Sequence, residues 1–141
     1  MVAILLLLWV SAIASAFIDN IPYTATMVPV VIELASNETL GLELGPLAWA
    51  LALGACLGGN GTIIGASANV VAAGLAEDAG HDISFNRFFR TGFPIMLLTL
   101  LLSTIYAVVR YAMEWSNPIY PITIITLLII GSLSLTPLVY K

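Results

Sequence analysis

Long apolar runs separated by short polar breaks set the pattern of this chain. A hydrocarbon core about 30 Å thick takes ~20 mainly apolar residues per helix. Val2 to Ile18 meets that length, as do Phe93 to Val109 (extendable to Met113) and Ile119 to Val139, which has Pro121 near its start and Pro137 near its end. These three predict full transmembrane helices. Two other runs fall short: Pro22 to Ala35, and Leu47 to Leu57, which "GGNGT" interrupts before apolar character resumes from Ile63 to Ala76. They predict a half-helix and a discontinuous helix. The connectors, Ser36 to Pro46 with Glu38 and Glu43, and Glu77 to Gly92 with Asp78, His81, Asp82, Arg87 and Arg90, read as water-exposed.

Composition places the chain in a membrane. Of its 141 residues 60% are hydrophobic and 9% charged, against about 25% charged in an ordinary soluble domain, and the mean hydropathy is +1.06. The fold class is therefore all-α and integral to the membrane. The formal charge of −4 points to no particular partner, and nothing recommends nucleic acid, because the few charges sit in the breaks. Cys56 is the single cysteine, so it forms no intramolecular disulfide and reads as a packing residue. Ala14-Ser15-Ala16 has the small-x-small look of a signal-peptidase site, yet no basic region precedes it and the apolar run continues through Phe17 and Ile18, so cleavage is not expected. Two arginines before the Phe93 span and Arg110 after it leave the orientation open. His81 reads as a solvated loop residue, and no second histidine or cysteine pair offers a zinc site.

Two polar interruptions carry the candidate chemistry. Asp19 and Asn20 follow the first apolar run, and an ionisable group kept inside a membrane usually faces a cavity and handles an ion or proton. Pro22 suits the first turn of a helix that Asp19 or Asn20 would cap, with Thr24 and Thr26 adding hydroxyls. The positive end of that helix suits an anion, while unwound carbonyls and Asp19 suit a cation. The competing reading makes Asp19 a surface cap and nothing more.

In the second interruption Gly58, Gly59 and Gly61 release the helix, Asn60 and Thr62 bring polar side chains to the break, and Ser67 and Asn69 follow. Non-helical backbone at membrane depth survives only inside protein or beside water, and such breaks point to a transporter's binding site. Gly54 with Gly58, and Gly61 with Gly65, keep the small-xxx-small spacing of close helix contacts. A tight loop between short interfacial helices, or packing alone, would explain the same residues. No zinc motif, nucleophile elbow, phosphate loop or paired carboxylate argues for an enzyme.

Together "SAFIDNIPYTATMVPVV" (15–31), "LALGACLGGNGTIIGASANVVAAG" (51–74) and "FNRFFRTGFPIMLL" (85–98) resemble the C-terminal half of the P-protein (pink-eyed dilution, oculocutaneous albinism) family. That family lies in the ion transporter superfamily, with arsenite-efflux proteins, Na⁺/H⁺ antiporters, citrate transporters and sodium/dicarboxylate symporters. The resemblance covers residues 11 to 117 and implies two inverted repeats, each with a re-entrant hairpin and a discontinuous helix whose tips meet at mid-membrane. Residues 1–117 would be one citrate-transporter-like repeat, and 118–141 an extra hydrophobic helix outside the match.

The expected function is secondary transport of an ion or small organic anion, coupled to Na⁺ or H⁺. The resemblance implies Asp19, Asn20, Thr24 and Thr26 on one side of the site and Gly59, Asn60, Gly61, Thr62, Ser67 and Asn69 on the other, with Na⁺ at Asp19 and Asn60. Ser67 and Asn69 match positions where relatives carry a Thr-Pro-Pro-Asn element. An anion channel, or a membrane scaffold without transport, are the alternatives. The other half of the site is expected from an N-terminal repeat outside this chain or from a second copy. The expected location is an organelle membrane of the melanosome or lysosome-related kind, or the plasma membrane.

Overall fold

The first apolar run folds as α1, Val2–Ser15, and stops before the Ile18 that its composition allowed. At 14 residues it is about 21 Å long. It ends because the chain turns to reach Asp19: the Phe17 and Ile18 amides both fold back onto the Ala14 carbonyl, at 3.1 and 3.0 Å. Asp19 is the N-cap of α2, Asn20–Ser36. Pro22 lies in the first turn of α2, where a missing N–H leaves no hydrogen bond unmade. Although Pro29 falls inside it, α2 runs for 17 residues.

A computed structural model describes residues 1–112, and five α-helices make up most of them. After α2 come α3, Leu44–Gly58, and α4, Ser67–Asp78, separated by the expected interruption. The last is α5, Phe85–Ala112, 28 residues and about 42 Å long. Over Phe85–Tyr111 it is the one helix among the described residues long and apolar enough to cross a membrane. It begins at Phe85 rather than Phe93, so Arg87 and Arg90 belong to its first turns and not to a loop. The expected third span, Ile119 to Val139, lies outside the described residues.

α3 is the centre of the packing, with α1 as its main neighbour and α2 and α5 beside it. The α1–α3 approach is set by glycines. A Cβ on Gly54 would strike the Leu8 carbonyl oxygen and come 2.8 Å from Ser11 Cβ; one on Gly58 would strike the Ala12 carbonyl oxygen and lie 2.7 Å from Ala12 Cα. The spacing of Gly54 and Gly58 thus does what small-xxx-small spacing predicts. At this separation the Ser15 hydroxyl donates to the Ala55 carbonyl at 2.7 Å.

Leu8, Ala12, Leu47, Leu51 and Leu100 form the dry centre of the cluster. At its margins Trp9 Nε1 donates to Thr104 Oγ1 at 3.0 Å and Tyr23 donates to Ser11 Oγ at 3.2 Å, tying α5 and α2 to α1. Outside this cluster Leu6, Val10, Ile13, Leu98, Leu101 and Ile105 are exposed. Acyl chains solvate such surfaces without cost, so the apolar exterior is what a bilayer environment requires.

Gly58→Val drives a branched side chain into backbone, which cannot yield as a flexible side chain can. We expect a loss of about 3 kcal/mol, the upper range for overpacking, read as a lower midpoint in detergent unfolding. Gly45→Ala, where nothing lies within 4 Å of the new methyl, should leave the midpoint in place.

Candidate ion and substrate site

Four helix ends meet where the two interruptions touch. α1 and α3 finish there with outward-facing carbonyls, and α2 and α4 start there with outward-facing amides. Each end leaves up to four backbone groups without partners inside the helix, and the local side chains take them up.

Thr62, fully buried, does this twice. Its hydroxyl donates to the Ala16 carbonyl just past α1 and accepts from the Gly65 amide at 3.1 Å. Asn69 Nδ2 donates to the Gly59 carbonyl at 2.8 Å and to the Thr62 carbonyl at 3.0 Å. The backbone between is extended at Thr62 and at Ala66, on either side of a short 3₁₀ turn, Ile63–Gly65. Gly65 is obligatory there: its missing Cβ would lie 2.8 Å from the Gly59 oxygen and 3.0 Å from both the Ser15 and Ala16 oxygens. Three carbonyls therefore converge on one small patch.

Asp19 joins the two interruptions. One carboxylate oxygen accepts from the Ile21 amide at 3.0 Å, capping α2, and the other accepts from the hydroxyl of Ser67, the first residue of α4. A single carboxylate thus stands at the positive ends of two helices, where an anion is favoured. Asp19 is half-buried and Ser67 exposed, so the pair is open on one side.

The expected site residues separate into groups. Asp19 and Ser67 meet directly; Gly59, Thr62 and Asn69 form one network beside them. Gly61 and Gly65 do not share a helical face, because the break falls across them. Gly61 instead packs the break onto α5 and the end of α1, its absent Cβ falling 2.7 Å from Met96 Sδ and 3.1 Å from Ala16 Cβ. Asn20 and Thr24 are half-buried in the first turns of α2. Thr26 spends its hydroxyl on the Pro22 carbonyl one turn back, at 2.9 Å.

Asn60 turns away from this group. It is exposed and lines a cavity of about 560 Å³ with His81, Asp82, Arg87, Phe88 and Thr91. Reading the sequence alone left this cavity out, since His81 and Arg87 looked like solvated connector residues. It also missed Ser15 as a bond to α3; the signal was there in Ser11 and Ser15, one turn apart in an otherwise apolar helix and both buried.

Comparisons with known proteins give the relatives of this chain. The Citrate transporter family model matches residues 1–54. The pig P protein is 55% identical over 115 residues, 81% of this chain, and the human P protein 54% identical over 115 residues, 82% of it. A 46 kDa membrane protein of Mycobacterium leprae is 46% identical over 111 residues, covering 79% of this chain and 26% of its own length. An uncharacterized transporter of Mycobacterium tuberculosis is 50% identical over 106 residues, 75% of this chain and 25% of its own. The chain spans only 14% of the length of the P proteins it matches. No solved structure matches it.

Thr62→Val keeps the shape of the buried side chain but leaves the Ala16 carbonyl without its partner and the Gly65 amide with only the Thr62 backbone carbonyl, at 3.2 Å, at a cost of about 1–3 kcal/mol. Hydrogen exchange at residues 60–66 should accelerate by roughly 5- to 150-fold while α3 exchange stays slow. Unchanged protection would show that water already serves those groups. With more than half of its aligned residues shared with P proteins and the Citrate transporter match at its start, the chain is a P-protein-like segment of the ion transporter superfamily.

Proposed function

We propose that this chain forms one half of a carrier's central site, moving an ion or small organic anion across a membrane by alternating access, with Na⁺ or H⁺ as coupling ion. The observation that carries this reading is the junction at Asp19 and Ser67, where two helix N-termini meet the C-termini of α1 and α3. Broken helices of this kind offer both kinds of ion site at once. Amides and positive helix ends suit an anionic substrate; the Ser15, Ala16 and Gly59 carbonyls, gathered around Gly65, suit a cation such as Na⁺, with Asp19 close by to supply negative charge. The names of the relatives, P protein, citrate transporter and uncharacterized transporters, support transport over catalysis.

In this reading α1–α2 is the hairpin with Asp19, Asn20, Thr24 and Thr26 at or near its tip, and α3–α4 is the discontinuous helix with Gly59, Asn60, Gly61, Thr62, Ser67 and Asn69. Residues 1–117 act as one repeat, and 118–141 add a further apolar helix. The opposing half of the site comes from a second, inverted repeat or a second copy of this chain. α4 has no buried residue, and its exposed Val70, Val71 and Leu75 offer a face for that counterpart or for lipid. The membrane would be that of a melanosome-like organelle or the plasma membrane, with ion and pH balance as the outcome.

The test is gradient-driven uptake in proteoliposomes containing the protein with the partners that copurify with it. Asp19→Asn removes the carboxylate but keeps an acceptor for Ile21, so the fold should persist while the dependence of uptake on Na⁺ or pH is lost. Ser67→Ala should lower the rate by about tenfold, by releasing one ligand of the junction. Uptake that keeps its rate and its ion dependence in both variants would remove Asp19 and Ser67 from the site.

A further inference from the structure

The cavity beside the break has a different chemistry from the Asp19 junction. Its rim is made by His81 and Asp82 of the α4–α5 connector and by Arg87 in the first turn of α5; Phe88, Thr91 and Ile95 continue one wall down the helix. At its inner end is Asn60 of the break. α5 touches the break here, since a Cβ on Gly92 would lie 2.6 Å from the Asn60 carbonyl oxygen. The cavity therefore leads from the aqueous end of α5 to the interruption between α3 and α4.

Arg87 is its one guanidinium. Nη1 donates to the Asp82 backbone carbonyl at 3.3 Å, which positions the group without neutralising it, and no carboxylate among the described residues pairs with it. Its remaining donors suit a carboxylate, which a guanidinium engages with two parallel bonds. Asp82 lines the same cavity, so a second negative charge on the ligand would meet repulsion. Phe88, Ile83 and Ile95 offer apolar wall, and about 560 Å³ falls within the range of small-molecule sites. Sites for anionic lipid headgroups gather several basic residues, whereas Arg90, the next arginine, is not part of this lining.

We propose that this cavity is a docking vestibule for a small soluble monocarboxylate with an apolar body, held by Arg87 at the rim with its body along Phe88 and Ile95, one step before the break. The inference rests on the carrier reading for its purpose but not for its test. His81 is the only histidine of the chain, so in the 141-residue chain, purified on a non-histidine tag and placed in nanodiscs of zwitterionic lipid, its imidazole signal reports on the cavity alone.

Benzoate should shift that signal saturably, citrate and neutral benzyl alcohol more weakly. Arg87→Gln should weaken benzoate by about tenfold or more, as loss of a charge-assisted bond does. Arg87→Lys, which keeps the charge and loses the fork, should fall between, and it carries the test if Arg87→Gln does not fold. Arg90→Gln should leave the affinity within about twofold, being outside the lining. The vestibule is refuted if benzoate causes no shift, if the Arg87 and Arg90 variants behave alike, or if phosphatidylserine in the nanodisc reproduces the shift and excludes benzoate. Binding without uptake in proteoliposomes would count against the carrier alone; uptake without Arg87-dependent binding would count against the vestibule alone.

Discussion

Backbone that leaves a helix at membrane depth has to find its hydrogen bonds within the protein, and the structure is organised around that requirement. Four helix ends converge within a few residues of one another, and the carbonyls and amides released there meet either turn backbone, as Ala14, Leu57 and Gly58 do, or a short polar side chain: Thr62 for Ala16 and Gly65, Asn69 for Gly59 and Thr62, Asp19 for Ile21. No buried side-chain nitrogen or oxygen among the described residues lacks a partner. Hydroxyls and amides of this size replace water without adding the charge that the membrane would penalise. The one carboxylate used, Asp19, serves two helix starts at once, where its charge is best tolerated.

This network can close only because α1 and α3 lie so near each other. Gly54 and Gly58 remove the side chains that would hold the helices apart, and the resulting separation brings Ser15 within reach of the Ala55 carbonyl and the end of α1 over Gly65. Packing and chemistry are therefore one constraint. The glycines set a distance along the whole contact, and the polar junction lies at its end. A change at Gly58 would reach Thr62 and Asp19 through the position of α1, without touching either.

Much of this was legible in the chain. The helix break was visible because "GGNGT" stops an apolar run too early to span, and the cap at Asp19 was visible because Pro22 marks a helix start that an acidic residue precedes. The Gly54 and Gly58 contact followed from spacing alone. What spacing could not give was where helices end when tertiary bonds compete with composition: α1 gives up Phe17 and Ile18 to a turn because Asp19 must reach Ser67, a contact 48 positions away. Nor could composition tell that Arg87 is helical. α5 continues back to Phe85 with Gly92 and Pro94 inside it, while polarity there suggested a loop. Gly61 and Gly65 illustrate the opposite error, regular spacing with no helix beneath it.

The two polar regions divide the tasks of an anion pathway in a way their charges explain. At the Asp19 junction the Ile21 amide and the Ser67 hydroxyl already donate to the carboxylate, so a substrate anion that uses either must displace a bond. The Arg87 cavity has donors to spare and opens to water, so it can collect an anion quickly but cannot hold one tightly against solvent. Asn60 stands between them, on the cavity side of a break whose other side carries Asn69 and Thr62. A ligand passing from the Arg87 cavity to the Asp19 junction would exchange guanidinium contacts for backbone amides. That exchange requires the break to move relative to α5, which meets it at two places, Gly92 against the Asn60 carbonyl and the Met96 side chain against Gly61.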